Sequence, residues 1–466
     1  MGKIVFCGIM PHPPIVLPEV GGTEAAKVKS TFEAMESFAK DVAKSGAEVI
    51  VMISPHGPVF SDGIAINGNR VIAGDLMQFK ANLEFDYIND MELVREIINR
   101  AGRHDIVAVD VDDGLAEEYG ISTKLDHGVL VPMYFLDRAG VDLPIVSVAM
   151  GMLPFEELYA FGAAVQEAVS FLGKKAAVIA SGDMSHRLTP DAPAGFSAKG
   201  RLFDEKIVEL LKDKDYKGII NIDRGMAEEA GECGLRTIIM MLGATDGNET
   251  KVDVLSYEGP FGVGYMVAQI VPLDEAKPSL LREIFDERKE KVEARRAGES
   301  TLVSIARAAL EAFVIEGRMI SPETSADPLL DERAGVFVSI KKHGQLRGCI
   351  GTIHPTRDNI ASEIVNNAIS SGTGDPRFEP VEPEELDQLV YSVDVLKAPE
   401  PINTIDQLDV KRYGVIVKSG RRSGLLLPNL EGVDTVQEQV SIARQKAGIG
   451  SDEAVQLERF EVVRYQ

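Results

Sequence analysis

Three histidines in the first half of the chain directly follow apolar runs. His12 stands in MPHPP after residues 2–9, His56 in SPHGP after 48–53, and His186 in SGDMSH after 175–181. Imidazole nitrogens bind iron, zinc and copper, and they also serve as general bases near neutral pH. A single histidine behind a strand is usually a capping or surface group. Three at equivalent places behind three strands point to one site, because strand carboxyl ends in an open α/β sheet converge on one crevice. A mononuclear centre needs a further ligand. Two histidines and a carboxylate on iron(II) would leave positions open for substrate and dioxygen. Glu232 in EAGECGLRT is the best candidate of that type, and the thiolate of its neighbour Cys233 is the alternative. Glu228 and Glu229 read as a charged helix surface. Asp183, three residues before His186, is placed to orient an imidazole. His127 in LDHGVLVPMYF precedes an apolar stretch and would be a polar group in the pocket. His104 in GRHD has no such context and reads as surface.

The elements that must hold these residues follow from hydrophobic period. Short apolar runs predict strands at 2–9, 48–53, 106–110, 144–149 and 175–181, with a closing strand at 262–272. Helices are expected at 23–45, 90–102, 155–172 and 198–213. The first carries Ala25, Val28, Phe32, Met35, Ala39 and Val42 at spacings of three and four, and Gly46 stops it. Strands alternating with helices imply an α/β domain, its largely parallel or mixed sheet covered by helices on both faces. Segments 57–90 and 184–200 are read as loops that shape the pocket. Texture changes near 273, where DEAKPSLLREIFDERKEKVEARRAGE mixes both charge signs and predicts a solvated helical linker over 273–297. A second domain, 298–466, reads as α+β with a mainly antiparallel sheet. Leu302, Ile305, Ala306, Ala309, Leu310 and Phe313 form a helix stripe. Residues 335–341 alternate as a strand, and His343-Gly344 turns it into QLRGCIG. Strands at 389–397 and 414–418 and a helix at 435–447 complete it.

Composition narrows the function classes. Hydrophobic residues make up 45% of 466 and charged residues 26%, which excludes disorder as the main state. Lys+Arg is 49 against 73 Asp+Glu, a net charge of −24. That charge argues against nucleic acid or an anionic membrane as partner. The three cysteines, Cys7, Cys233 and Cys349, are odd in number and scattered, which fits a reducing cytoplasm better than a disulfide framework. No apolar stretch is long enough to predict a membrane span. A homo-oligomer is expected.

The runs PHPP at His12, SPHG at His56, DHG at His127 and GDMSH at His186 together resemble the class III extradiol ring-cleavage dioxygenases of the LigB type, and the related Memo proteins, over about 1–272. The resemblance implies iron(II) held by His12, His56 and a glutamate. It implies His186 as the base on a catechol-like aromatic substrate and His127 as an aid to protonation. Glu232 suits the dioxygenase pattern by type. Cys233-Gly234 matches the Cys-Gly pair of Memo proteins. The second half, with LRGCIG at Leu346–Gly351, DPRFEPV and GLLLPN, resembles the AMMECR-type domain. That resemblance implies a candidate site around Arg347, Cys349 and His354. An arginine beside two glycines and a cysteine could bind an anion or activate a thiol, whereas a tight, packed strand would account for the same residues structurally. The copy departs from the family pattern at GVDTVQEQV, where a Trp-Asp pair is usual. The pairing of modules resembles the AmmeMemoRadiSam group, which implies a radical-SAM protein partner.

Three functions compete on this reading. The first is an iron-dependent oxidoreductase of extradiol type. The second places zinc(II) in the same cradle for hydrolytic or lyase chemistry. The third is an adaptor whose metal is structural.

Overall fold

The computed structural model describes residues 2–321, 327–430 and 432–466. Contacts divide the chain into two units, Met1–Ile284 and Phe285–Gln466. The division falls inside the charged helix Leu280–Ala297, whose Leu281 and Ile284 pack into the core of the first unit.

The strands of the first unit are β1 Lys3–Met10, β2 Val49–Ser54, β3 Ile64–Asn67, β4 Val71–Asp75, β5 Glu84–Ile88, β6 Ala108–Val111, β7 Ile145–Ala149, β8 Lys175–Ser181, β9 Asn248–Glu258 and β10 Tyr265–Ala276. Eight of them form one mixed sheet in the order β6-β3-β7-β2-β8-β1-β10-β9. The central strands β7, β2, β8 and β1 are parallel. β10 and β9 extend that centre antiparallel on one side. On the other side β3 runs antiparallel to β7 and parallel to β6. β2 shows why the central strands read as unbroken apolar runs. Val49, Val51 and Ile53 enter one core while Ile50 and Met52 enter the other. Side chains alternate across a strand, so a strand covered on both faces has no polar face left. The first core takes in Met91–Gly102, Phe155–Leu172 and Leu235–Gly243; the second takes in Lys29–Lys44 and His127–Arg138.

Two local expectations change. The helix expected over 23–45 is a 3-10 segment, Glu24–Val28, followed by Lys29–Lys44. Segment 57–90 is not a loop throughout, because it contains β3 and the hairpin of β4 and β5. β3 has only four residues, and β4 and β5 carry exposed residues at alternate positions, which leaves too little apolar pattern to read.

The second unit has β11 Val336–Lys342, β12 Gln345–Gly351, β13 Leu389–Leu396, β14 Glu400–Ile402, β15 Tyr413–Ser419, β16 Arg422–Leu426 and β17 Gln456–Tyr465. The sheet runs β12-β11-β13-β17-β15-β16, with β14 also on β17, and among the described residues its strands pair antiparallel. Val336, Val338 and Ile340 face a core shared with helices Thr301–Glu316 and Ile360–Thr373. His343 and Gly344 turn the first hairpin with φ of 54° and 82°, the pair of left-handed residues such a tight turn requires.

Candidate metal centre

β2, β8 and β1 lie side by side, so the loops after them meet above one stretch of sheet. His56 Nε2 is 2.9 Å from His12 Nε2. Cys233 Sγ, from the turn before helix Leu235–Gly243, lies 3.7 Å from His12 Nε2 and 3.7 Å from His186 Nε2. The ligand atoms of His12, His56 and Cys233 all fall within 4.8 Å of one another. The His127 ring stacks on that of His56, with centroids 4.4 Å apart and planes at 19°. His12 is buried, Cys233, His127 and His186 are partly buried, and His56 is exposed. Beside His56 opens a cleft of about 610 Å³ lined by Asp75, Gln78, Ser122, Lys124 and Asp126.

Two glycines let this turn come close. An added Cβ on Gly182 would lie 2.3 Å from the Gly234 Cα, backbone against backbone. The approach lets Asp183 N donate to Cys233 Sγ at 3.3 Å and Cys233 N donate to the Asp183 carbonyl at 3.3 Å. Polar side chains then orient the ligands. Ser181 Oγ meets His12 Nδ1 at 2.9 Å, which aims Nε2 at His56 and Cys233. Asp183 Oδ1 accepts from the His12 backbone N–H at 3.0 Å, so Asp183 holds the main chain of a histidine, and the ring is held by Ser181. Asp126 Oδ1 caps the His127 helix at Gly128 N and accepts from Ser54 Oγ at 2.6 Å, joining that helix to the end of β2. Asp204, fully buried, accepts from Ser185 N at 2.8 Å and from the Tyr257 hydroxyl at 2.7 Å. Ser185 Oγ donates to the Ala230 carbonyl at 2.9 Å. These bonds fix the residue before His186.

Burial, and then the neighbouring rings of His56, His127 and His186, holds His12 well below the usual histidine range. Burial lowers His56 and His186 as well, and with His56 alongside it takes His127 down to about 4. Burial pushes Asp183 up to about 7 against the hydrogen bond from His12. Burial, with Asp183 next, also raises the Cys233 thiol. The rings are therefore neutral bases with lone pairs to donate. A divalent cation among them would reverse the thiol by binding its deprotonated form. Imidazole nitrogen sits about 2.0–2.1 Å and thiolate sulfur about 2.3 Å from zinc, which puts ligand pairs roughly 3–4 Å apart. The separations of 2.9 and 3.7 Å match, and the donor set fits a metal ion.

Of the two alternatives for the third ligand, the structure brings Cys233 into the group. The Glu232 carboxylate instead accepts from Leu235 N at 2.6 Å on the first turn of the following helix. Its burial raises it to about 7. Glu228 and Glu229 lie on helix Arg224–Ala230. His104 is paired with Glu167 at 3.1 Å. Ser181, Asp126, Asp204 and Tyr257 were not singled out from sequence. Asp126 alone had a local signal, an aspartate immediately before a helix. The others meet the site only through tertiary contacts.

In the second unit, Arg347 is committed to Glu385. Its Nε and Nη2 donate to Oε1 at 3.0 Å and Oε2 at 2.8 Å, and Nη1 donates to the Glu379 carbonyl at 2.8 Å. Cys349 is partly buried and receives a bond from Ser339 Oγ at 3.2 Å, and burial raises its thiol. His354 is exposed in the loop after β12. Gly348 is required by close packing, since an added Cβ would lie 2.0 Å from the Ser371 carbonyl.

Residues 7–268 match the family described as catalytic LigB subunit of aromatic ring-opening dioxygenase, and residues 303–466 match AMMECR1. Protein CA_C1420 of Clostridium acetobutylicum is 42% identical over 461 residues, 98% of each chain. A Thermotoga maritima protein is 52% identical over 172 residues, 36% of this chain and 99% of its own. The crystal structure of uncharacterized protein PH0010 from Pyrococcus horikoshii shares 36% identity, with a TM-score of 0.33, over 35% of this chain and 88% of that one. Among the described residues, no helix is long and apolar enough to cross a membrane. The chain thus belongs to the LigB family, in the fused form that carries an AMMECR1 domain behind the LigB domain.

Proposed function

We propose that the first unit is a metal-dependent oxidoreductase acting on a catechol-like or other aromatic substrate. The observation that carries this reading is the convergence of His12, His56 and Cys233 next to two further neutral imidazoles. His12, His56 and Cys233 would hold the ion. Iron(II), when bound, would supply the oxidative ring-opening chemistry for which the family is described. His186, with Nε2 facing the ligand thiol, accepts the proton of a substrate hydroxyl. His127, stacked on His56, holds a second proton site. The cleft beside His56 admits the substrate, and its Gln78, Ser122 and Lys124 offer polar contacts to ring substituents.

One observation favours a second reading. A thiol stands where a carboxylate would complete the iron(II) triad, and thiolate ligands suit zinc. Zinc in this cradle would supply a polarised water for hydrolytic or lyase chemistry. Metal analysis after anaerobic purification, followed by oxygen uptake with a panel of catechols, tests the two. Stoichiometric iron with oxygen uptake is expected. Zinc without uptake would replace the first reading by the second. His12→Ala, His56→Ala and Cys233→Ala should each lose the metal; full occupancy in all three would refute the site itself.

A further inference from the structure

The chemistry of the first unit leaves Cys349 unused. We propose that Cys349 is the floor of a binding site for a small carboxylate-bearing molecule on the sheet face turned away from helices Thr301–Glu316 and Ile360–Thr373, with Arg377 and Arg464 as its cationic rim. Val336, Val338 and Ile340 of β11 face the helices, so Phe337 and Ser339 face away from them. Ser339 lies opposite Cys349 on β12 and opposite Ser392 on β13. Residues directly opposite share a face. A thiol and two hydroxyls therefore form one row, and all three are partly exposed. In the next row Phe337 lies opposite Asp394, and Asp394 opposite Arg464. The Phe337 ring covers Gly351, where an added Cβ would sit 2.2 Å from it, and packs on the cluster of Leu396, Ile416, Leu427 and Phe460, which closes this end of the face.

The rim is built from two anchored arginines. Arg377 grips Asp375 through Nε at 2.9 Å and Nη2 at 2.6 Å. Arg464 grips Asp394 through Nε at 2.7 Å and Nη2 at 2.9 Å. Both carboxylates are 2% exposed, while the guanidinium side chains are 54% and 38% exposed. Each pair thus buries its negative end and presents its positive end to solvent. Asp375 is further neutralised by the backbone N–H groups of Cys349 and Arg377. Arg377 Nη2 reaches the Cys349 carbonyl at 3.3 Å, which sets this guanidinium beside the cysteine. Among the described residues Nη1 of each arginine has no hydrogen-bond partner, which leaves it for a ligand; the Phe378 ring lies 5.4 Å from the Arg377 guanidinium carbon. Planar, pre-oriented guanidinium suits a carboxylate. Arg347 cannot supply the cation, since Glu385 takes its Nε and Nη2 and the Glu379 carbonyl takes its Nη1.

Alkylation of the full chain tests the site. Iodoacetate carries a carboxylate and iodoacetamide does not. In both cases the sulfur displaces iodide, a carbon–sulfur bond forms and the thiol proton goes to solvent. Rates at Cys349 are read peptide by peptide by mass spectrometry, with N-acetylcysteine in the same buffer as reference. The iodoacetate-to-iodoacetamide ratio at Cys349 should exceed the reference by roughly tenfold, the worth of one net charge-assisted hydrogen bond. It should fall towards the reference in Arg377→Gln and Arg464→Gln and decline with salt in the unmodified chain. A ratio at or below the reference overturns the proposal. So does a folded chain in which neither reagent reaches Cys349. Should the glutamine variants fail to fold, the salt dependence of the unmodified chain decides: a ratio that salt does not lower overturns the proposal.

Discussion

The close approach of Gly182 and Gly234 makes the metal centre sensitive to a single methyl group. Gly182→Ala would set a Cβ 2.3 Å from the Gly234 Cα. Carbon–carbon contacts are comfortable from about 3.5 Å, so the two loops would have to part by roughly 1.2 Å. The nearest atom is backbone and not the end of a flexible side chain, so backbone must move. Cys233 sits beside Gly234, and a metal site tolerates ligand displacements of only about 0.2 Å. The variant should therefore lose about 10–100-fold in metal affinity, the usual cost of disturbing the groups that aim a ligand. Overpacking should also destabilise the first unit by about 1–3 kcal/mol. At roughly 2–4 °C per kcal/mol, the metal-free midpoint falls measurably. Chelator competition gives the affinity and thermal unfolding of the metal-free chain gives the midpoint. Gly102→Ala is the control, because its Cβ would meet nothing within 4 Å. If Gly182→Ala binds metal as tightly as the unmodified chain, the loop contact does not position Cys233 and the reasoning fails.

Three further outcomes follow from the charges. Asp204 is raised by burial from 3.8 to about 6, so it contributes stability below pH 3.8 that is lost as pH rises through 6; Asp204→Asn should therefore gain relative to the unmodified chain between pH 4 and 6 and hold that gain above, and a flat difference in unfolding free energy would contradict the buried carboxylate. Glu385 is lowered from 4.5 to about 2, burial being outweighed by Arg347, the Glu382 amide and Lys342. Its contribution is present above pH 4.5 and lost as pH falls through 2, so the stability gap between the unmodified chain and Arg347→Gln should be full above 4.5 and close near 2 in acid unfolding curves. The ring protons of His127 in metal-free protein should titrate in NMR with a midpoint near 4; a midpoint at the ordinary 6.5 would mean the ring is not buried against His56.

The central strands and long helices were legible because both signals are local. β2 and β8 are apolar except at their ends, and Phe155–Leu172 is long enough for its period to show. The edges were not. β9 mixes buried and exposed residues without strict alternation, and β3 has four residues. β17 stayed unread because its charged residues sit among the apolar ones, yet it pairs with β13, β14 and β15 and joins the two parts of the second sheet. Arg347 shows the same limit for function. Beside glycines it looked free to bind an anion, and its partner Glu385 is 38 residues away.

By itself the sequence determined that His12, His56 and His186 stand behind apolar strands, and therefore at one end of one sheet, because strand direction and hydrophobic period are written locally. Only the tertiary structure decided which group completes the set. Glu232 and Cys233 are adjacent, and no local rule separates them. Leu235 N takes the carboxylate, while the Gly182–Gly234 contact delivers the thiol to within 3.7 Å of two imidazoles. The choice lies between backbones 52 residues apart in sequence, where only folding can bring them together.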